Sequence, residues 1–463
     1  MTAHAPRITV VGLGPGNPEL RTLGTQRAID AAERIILRTR IHPGLGDLAA
    51  DPRVTDCDDL YESAGDFADL YPAIAQRVLS LARTGESVVF AVPGHPRFGE
   101  KSVPLVEAGA RDLGISVDVL DAVSFLDSAA GAIPTDPLAE GLQLADAEEL
   151  AASVNADPFA SGRLGIDATR PLLVGQLYNR ELASATKIAL SRVYPDDHWV
   201  ILVQAAGISG NETVRDVRLH ELDRHDVDHL ASLWVPPLGP LDAVRSPESL
   251  TRIVALLRAP GGCPWDRAQT PQTLRNQVLE EAYEVVDAID AGDQSGLVEE
   301  LGDLLLLISM QAQIAEENGT FLIEDVFEGV NRKLIRRHPH VFGSGSATTP
   351  EAVIATWEGV KEIERADKGE RPAKHNPIDR LPRAMPITRK AAEIFAPRTS
   401  LASTDDPDAG DELLNAVRVL IERGLDPDVA LEVSLRKLID QRIGVSDGSV
   451  LAGIEDRQGR ESA

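Results

Sequence analysis

The chain has 463 residues, 43% of them hydrophobic and 26% charged, with a formal net charge of −27. That length outgrows one hydrophobic core and calls for about three domains or lobes, while the apolar-to-charged balance excludes a disordered chain. The acidic excess repels polyanions and excludes duplex nucleic acid as the main partner, and even the longest apolar runs, 304–308 among them, are far below the roughly 20 residues that cross a bilayer.

The first residues lead straight into an apolar strand without the basic start and long apolar stretch of a secretory signal, so a cytoplasmic protein is expected. Cys57 and Cys263 are the only two cysteines, too few for a disulfide framework or a four-thiolate zinc site. Up to about residue 235, short β-type runs at 8–11, 87–92, 116–120, 172–174 and 199–203 alternate with helical stretches. This alternation predicts an α/β domain with a largely parallel sheet. The first strand runs into Gly12, Leu13, Gly14, Pro15 and Gly16, with a helix expected near Glu19. Glycines spaced by two let a backbone approach a ligand closely. A plain tight turn is the alternative, and Asn17 stands where a dinucleotide fingerprint needs glycine. Pro93, Gly94, His95 and Pro96 follow another strand and belong at the same sheet edge, where α/β proteins bind ligands.

Together with Arg38-Thr39, His42-Pro43, Ser124-Phe125 and the stretch from Gly207 to Glu212, these turns resemble the tetrapyrrole methylase family over about residues 6 to 235. The resemblance implies two α/β lobes with S-adenosylmethionine in the cleft between them, near Gly12, Gly14, Gly16, Pro93, Gly94 and His95, and a tetrapyrrole-like methyl acceptor. Methyl transfer from a sulfonium needs mainly alignment of the acceptor, so it leaves no diagnostic side chain, and cofactor binding without methylation is equally open.

From Trp234 to Leu241 three prolines and a glycine break regular structure and predict a linker, giving an α/β domain over 1–235 and a linker over 236–246. Helical spacing follows: Val278, Ala282, Val285 and Ile289 fall on one face of a helix, residues 290–293 end it, and further helices are predicted over 297–315 and 323–337. The short connection predicts an antiparallel hairpin.

That hairpin carries Glu281 and Glu284 on one helix and Glu300 and Asp303 on the next, each pair three residues apart and so on a shared face. Asp303 precedes four leucines, in a helix that reads as buried on most sides, where an unpaired charge is costly. A divalent cation would offset that cost, and an all-oxygen set suits Mg²⁺, or Mn²⁺, better than zinc. A solvated helix face is the competing explanation for either pair alone.

Residues from about 247 to 365 resemble the MazG family of nucleoside triphosphate pyrophosphohydrolases. The likeness rests on Cys263-Pro-Trp-Asp266 with Gln269-Thr270, on the run from Leu279 to Ile289, on Glu299 to Leu305, on Lys333 to Phe342, and on Trp357 with Lys361. It implies an all-α domain over 247–395 that cleaves nucleoside triphosphates to the monophosphate and pyrophosphate. Glu281, Glu284, Glu300 and Asp303 would be metal ligands, Lys333, Arg337 and Lys361 phosphate contacts, and Trp357 a neighbour of the nucleotide. Glu280, beside the ligands, would orient the attacking water or merely carry an outer salt bridge. Lys333 and Arg337 also read as a basic helix end favoured by the dipole, Trp265 and Trp357 as core aromatics, and His338 and His340 as structural.

Leu381 to Pro386 and Asp426-Pro427 look like traces of a degenerate second copy, whose helical segment and polar tail are placed over 396–463, with Asp408 and Asp411 left from its second acidic pair. Such a helix pair is expected to pack on the active copy or on a second subunit in a homodimer. Two rival readings share these motifs: a methyltransferase whose helices only dimerise, and a nucleotide sensor without turnover.

Overall fold

A computed structural model describes residues 6–63, 67–133, 135–155, 164–367, 381–382, 385–386, 390 and 407–443. The chain divides into two compact units, Met1–Asp325 and Val326–Ala463.

The first unit opens with a lobe built from β1 (Arg7–Gly12), α1 (Leu23–Ala31), β2 (Arg34–Leu37), β3 (Val54–Asp56), α2 (Asp58–Ser63), α3 (Phe67–Ala82), β4 (Ser87–Val92), α4 (Ser102–Leu113) and β5 (Ser116–Val119). Its five strands lie in the order β3-β2-β4-β1-β5, all parallel. β4 is buried from Val88 to Val92, the continuous apolar run required of a strand covered on both faces. Leu70, Ile74, Val78, Val103 and Val106 of α3 and α4 cover one face. Ile29, Leu45 and Leu48 cover the other, against Val11, Ile35 and Leu37. The expected helix near Glu19 is a short 3₁₀ turn at Pro18–Leu20, capped by Asn17, and α1 begins only after Thr22 caps it.

The second lobe holds α5 (Phe125–Ala132), β6 (Gln143–Asp146), α6 (Ala147–Asn155), β7 (Leu172–Gly175), α7 (Arg180–Leu190), β8 (Trp199–Gln204), β9 (Thr213–Arg218) and β10 (Ala231–Val235). Its sheet runs β6-β7-β10-β8-β9 and departs from the expected parallel arrangement: only β6 and β7 are parallel, and the other three pairings are antiparallel. For β8 and β9 the reason is loop length, because the short connection between them joins only antiparallel neighbours. A second correction concerns the proline-rich segment. Trp234 and Val235 do not start a linker but end the central strand β10, where Trp234 is buried between Leu173 and Ile201 of its neighbours. Regular structure stops after Val235.

Helices follow: α8 (Pro247–Arg258), α9 (Pro264–Ala268), α10 (Arg275–Ala291), α11 (Gln294–Glu317), α12 (Ile323–Arg337), α13 (Pro339–Phe342), α14 (Pro350–Asp367), α15 (Pro407–Glu422) and α16 (Pro427–Ile443). The hairpin turn is dictated locally. Gly292 ends α10 in the left-handed region, and the Asp293 carboxylate accepts from Ser295 N and Gly296 N at 3.0 and 3.1 Å to start α11. Val254, Leu274, Leu307, Met310 and Ile314 form the core joining α8, α10 and α11. Arg258 clamps the far end, its Nε and Nη2 each 2.7 Å from a Glu317 oxygen.

The middle of α11 is not buried on most sides. Leu307 and Met310 are buried, but Leu301, Leu305 and Ile308 are exposed, and so is Asp303. Within the first unit α10 and α8 pack on α11, and they leave these apolar side chains uncovered. Among the described residues no helix is long and apolar enough to cross a membrane. Most of the acidic, proline-containing stretch 398–410 and the tail 444–463 lie outside the described residues.

Candidate functional site

The two glycine-containing turns meet because β1 and β4 pair in register, Gly12 beside Val92. Gly14 N donates to Gly94 O at 3.2 Å and Gly94 N returns the bond to Gly14 O at 2.9 Å. A side chain at position 12 is impossible there, since its Cβ would stand 2.2 Å from Gly94 O. Above these turns lies a cavity of about 610 Å³, walled by Pro15, Thr39, Pro93 and Gly94 from the first lobe and by Phe125 and Tyr178 from the second. Pro93 and Gly94 therefore line it directly, whereas Gly12, Gly14 and Gly16 shape the turn beneath. His95 is not among the lining residues: its Nδ1 accepts from Arg97 N at 3.0 Å and its ring stands edge-on to Phe98.

The cleft also collects backbone strain. Among the described residues the two non-glycine positions with positive φ are Gln176 at 61° and Ala205 at 54°, and both line this cavity. Each conformation costs about 1 to 2 kcal/mol, and such strain concentrates where a ligand is clamped. His42 locks the turn from below. Its Nδ1 accepts from Gly44 N at 3.2 Å, so Nε2 carries the proton and donates to Gly14 O at 3.0 Å. Burial pushes its pKa down from 6.5 to about 4, against the Gly14 hydrogen bond, which raises it. Between those values the unfolded chain binds a proton that the folded one does not, so stability falls as pH drops through the window, by up to about 3 kcal/mol for this group. Denaturant unfolding at pH 7 and pH 4.5 should show a smaller difference for His42→Asn than for the unaltered chain; equal differences would remove His42 as the cause.

In the helical hairpin, carboxylate oxygens of Glu281, Glu284 and Glu300 all lie within 4.8 Å of one another. The three-residue spacing puts Glu281 and Glu284 on the flank of α10 that meets α11, and the antiparallel turn carries Glu300 to the same level. Partial desolvation raises the Glu281 pKa, with the negative charges of Glu284 and Asp303 adding to it. Glu300 is raised in the same way, by desolvation first and then by Glu284. Asp303 thus lies within electrostatic reach of both, although it is exposed and outside the tight triad. Glu280 is exposed and likewise outside it. The mutual repulsion of these carboxylates is of the kind that an oxygen-seeking divalent ion relieves.

The remaining candidates belong to the second unit. Lys333 is exposed on α12. Arg337 is occupied: its Nη2 lies 2.6 Å from Glu364 Oε2, and Arg336 pairs with the other oxygen. The two guanidinium groups hold the Glu364 carboxyl down at about 2. Trp357 is half-buried, its ring edge-on to His338 with centroids 5.2 Å apart, and among the described residues its Nε1 has no hydrogen-bond partner. Trp265 is exposed, which removes the core reading for that residue. The side chains of Lys361 and Asp408 lie outside the described residues, and Asp411 is exposed.

Several cleft residues carry no motif. Glu100, which pairs with Arg38, and Tyr61, Glu148 and Tyr178 all line the cavity. They are isolated letters in the sequence, and the only signal near them is Glu100 following the turn that begins at Pro93.

Residues 7–223 match the Tetrapyrrole (Corrin/Porphyrin) Methylases, and residues 269–342 match the MazG nucleotide pyrophosphohydrolase domain. The chain is 36% identical over 215 residues to the nucleoside triphosphate pyrophosphohydrolase/pyrophosphatase MazG of Thermotoga maritima, covering 42% of this chain and 83% of that one. A solved uroporphyrin-III-C-methyltransferase from Thermus thermophilus overlays 52% of this chain and 99% of its own, with 22% identity and a TM-score of 0.39. The Bacillus subtilis protein YabN, itself uncharacterized, is 36% identical over 393 residues, 84% of this chain and 76% of its own length. The chain is thus a fusion of a tetrapyrrole methylase domain with a MazG pyrophosphohydrolase domain and belongs to the same family as YabN.

Proposed function

We propose that the helical part of this chain is a Mg²⁺-dependent nucleoside triphosphate pyrophosphohydrolase, converting NTP and water to NMP and pyrophosphate, with Mn²⁺ able to substitute. The observation that carries this reading is the convergence of Glu281, Glu284 and Glu300 within 4.8 Å across two helices. Their donor set is all oxygen and their charges repel, which suits a hard divalent cation. Asp303 completes the acidic flank. When bound there, the cation would neutralise triphosphate charge and polarise a water. The side chains do the remainder: Lys333 and Lys361 are assigned to phosphate oxygens, Glu280 to orienting the attacking water, and Trp357 to the nucleoside. Arg337 is assigned to phosphate as well, with Glu364 holding its guanidinium in place between substrates.

The proposed organisation is an α/β domain over 1–235, a linker over 236–246, the pyrophosphohydrolase domain over 247–395 and a degenerate copy beyond. The apolar flank left by Tyr283, Leu301, Leu305 and Ile308 supports a homodimer built on these helices. A second reading applies to the other domain. The strained cleft at Gln176 and Ala205, beside the turns at Gly14 and Gly94, supports S-adenosylmethionine binding and a methyltransferase activity alongside hydrolysis.

Purified full chain incubated with each common NTP should release pyrophosphate with Mg²⁺ and none after chelation. A methyltransferase with merely dimerising helices predicts no pyrophosphate in either case, and a nucleotide sensor predicts tight NTP binding without product.

A further inference from the structure

The lining of the cleft has a charge pattern that bears on what is methylated, on the premise that the cleft holds S-adenosylmethionine. Four carboxylates line the cavity, from Asp58, Glu100, Glu148 and Asp228, against the single guanidinium of Arg38. Its histidines are His42, which burial keeps neutral at pH 7, and His229. Arg38 is spent within the protein: its Nη1 lies 3.2 Å from Glu100 Oε2, and its guanidinium sits 5.9 Å from the ring centroids of both Tyr61 and Tyr71. The ammonium of Lys101, just outside the lining, is 2.7 Å from Glu148 Oε2, while Tyr178 Oη donates to Glu148 Oε1 at 2.9 Å. Arg38 and Lys101 therefore already have their own carboxylates, whereas Asp58 and Asp228 accept only uncharged donors, Arg40 N for the first and Leu230 N and Gln204 Nε2 for the second, and pair with no cation among the described residues.

Glu100 shows that the acidity is built into the wall. Its side chain is 1% exposed. Oε1 accepts from Ser102 N and Oγ at 3.0 and 2.6 Å, whereas among the described residues Oε2 has the ion-pair contact with Arg38 Nη1 but no well-aligned hydrogen bond, and the buried Arg38 Nε finds no acceptor. A buried carboxylate left one donor short, in a cavity with aromatic walls, is suited to a ligand that donates hydrogen bonds and carries positive charge.

We propose that the methyl acceptor is a small organic amine, bound as its cation between the tyrosines and the carboxylates, and that a polycarboxylate of the tetrapyrrole type is excluded by charge. Transfer then balances simply. The ammonium gives a proton to water, its nitrogen lone pair forms the new N–C bond, and the C–S bond breaks with its electron pair passing to sulfur. The products are the methylated amine and S-adenosylhomocysteine.

Calorimetric titration of the full chain saturated with S-adenosylhomocysteine tests this, with tyramine and agmatine as cationic probes and uroporphyrin III as the polyanion. At least one amine should bind saturably and uroporphyrin should not. Asp58→Asn, which keeps an oxygen for Arg40 N, should weaken the amine at least tenfold and leave S-adenosylhomocysteine affinity unchanged, which also shows that the cleft has folded. Saturable uroporphyrin binding, silence from both amines, or an unchanged amine affinity in Asp58→Asn would overturn the proposal. If S-adenosylhomocysteine itself does not bind, the cofactor reading fails and this proposal with it.

Discussion

Glu281→Gln is expected to lower Mg²⁺-dependent pyrophosphate release by at least about a hundredfold, the scale on which losing one charge-stabilising group acts in a preorganised site. Glutamine keeps the shape of the side chain and removes its charge, so folding is not the variable. The structure adds a second readout with the opposite sign. In the absence of metal, Glu281 is one of three carboxylates within 4.8 Å, its proton affinity raised by desolvation and by Glu284 and Asp303. Deleting one charge should relieve repulsion, so the metal-free variant should unfold no earlier than the unaltered chain. Mg²⁺ should raise the unfolding temperature of the unaltered chain by linkage and that of the variant much less. Unreduced turnover in Glu281→Gln, or an equal Mg²⁺ stabilisation of both proteins, would remove Glu281 from the metal site. Asp303→Asn should share the loss of turnover, and because Asp303 is exposed and outside the triad its effect separates a ligand from a bystander.

The acidic triad was legible in the sequence because helix geometry is local: a three-residue spacing fixes two side chains on one face, and Gly292 with Asp293 fixes the turn between them. The third helix, 323–337, was legible for the same reason. The exposure of Leu305 and Ile308 was not, since an apolar run says that burial is favourable but not which neighbour supplies it. In the α/β part, strands such as β4 announce themselves by continuous apolar runs, whereas β9, which reads Thr-Val-Arg-Asp-Val-Arg and is exposed along most of its length, does not. The direction of the second sheet escaped because pairing depends on connections between strands and not on strand composition. Tertiary pairs were illegible for a stronger reason. Arg38 with Glu100, and Arg337 with Glu364, join residues far apart in sequence, and neither member carries a mark of its partner. His42 looked like part of a His-Pro pair, and only the fold shows its ring holding Gly14 O.

Gly94→Trp is expected to abolish S-adenosylmethionine binding, a loss of at least about a hundredfold in affinity, while pyrophosphate release continues. Gly94 sits at φ 63°, and no atom lies within 4 Å of the position a Cβ would take, so the new side chain enters the open cavity rather than the core. Its indole would fill part of a space of about 610 Å³ that the cofactor and its acceptor have to share. The backbone contributes a smaller penalty, since a bulky residue in the left-handed region costs about 1 to 2 kcal/mol. That strain falls at the reciprocal Gly14 and Gly94 hydrogen bonds. Gly94→Ala separates the two effects, because it carries the strain without the bulk: it should weaken the cofactor by about tenfold, the equivalent of 1.4 kcal/mol. Both variants should leave hydrolysis intact, because Glu281, Glu284 and Glu300 stand on helices α10 and α11 and not in the α/β lobes. Calorimetry with S-adenosylmethionine reads the first outcome and pyrophosphate release the second. Equal cofactor affinity in Gly94→Trp would place the cofactor elsewhere. Loss of hydrolysis in a folded Gly94→Trp would instead show that the methylase cleft and the acidic hairpin are energetically coupled.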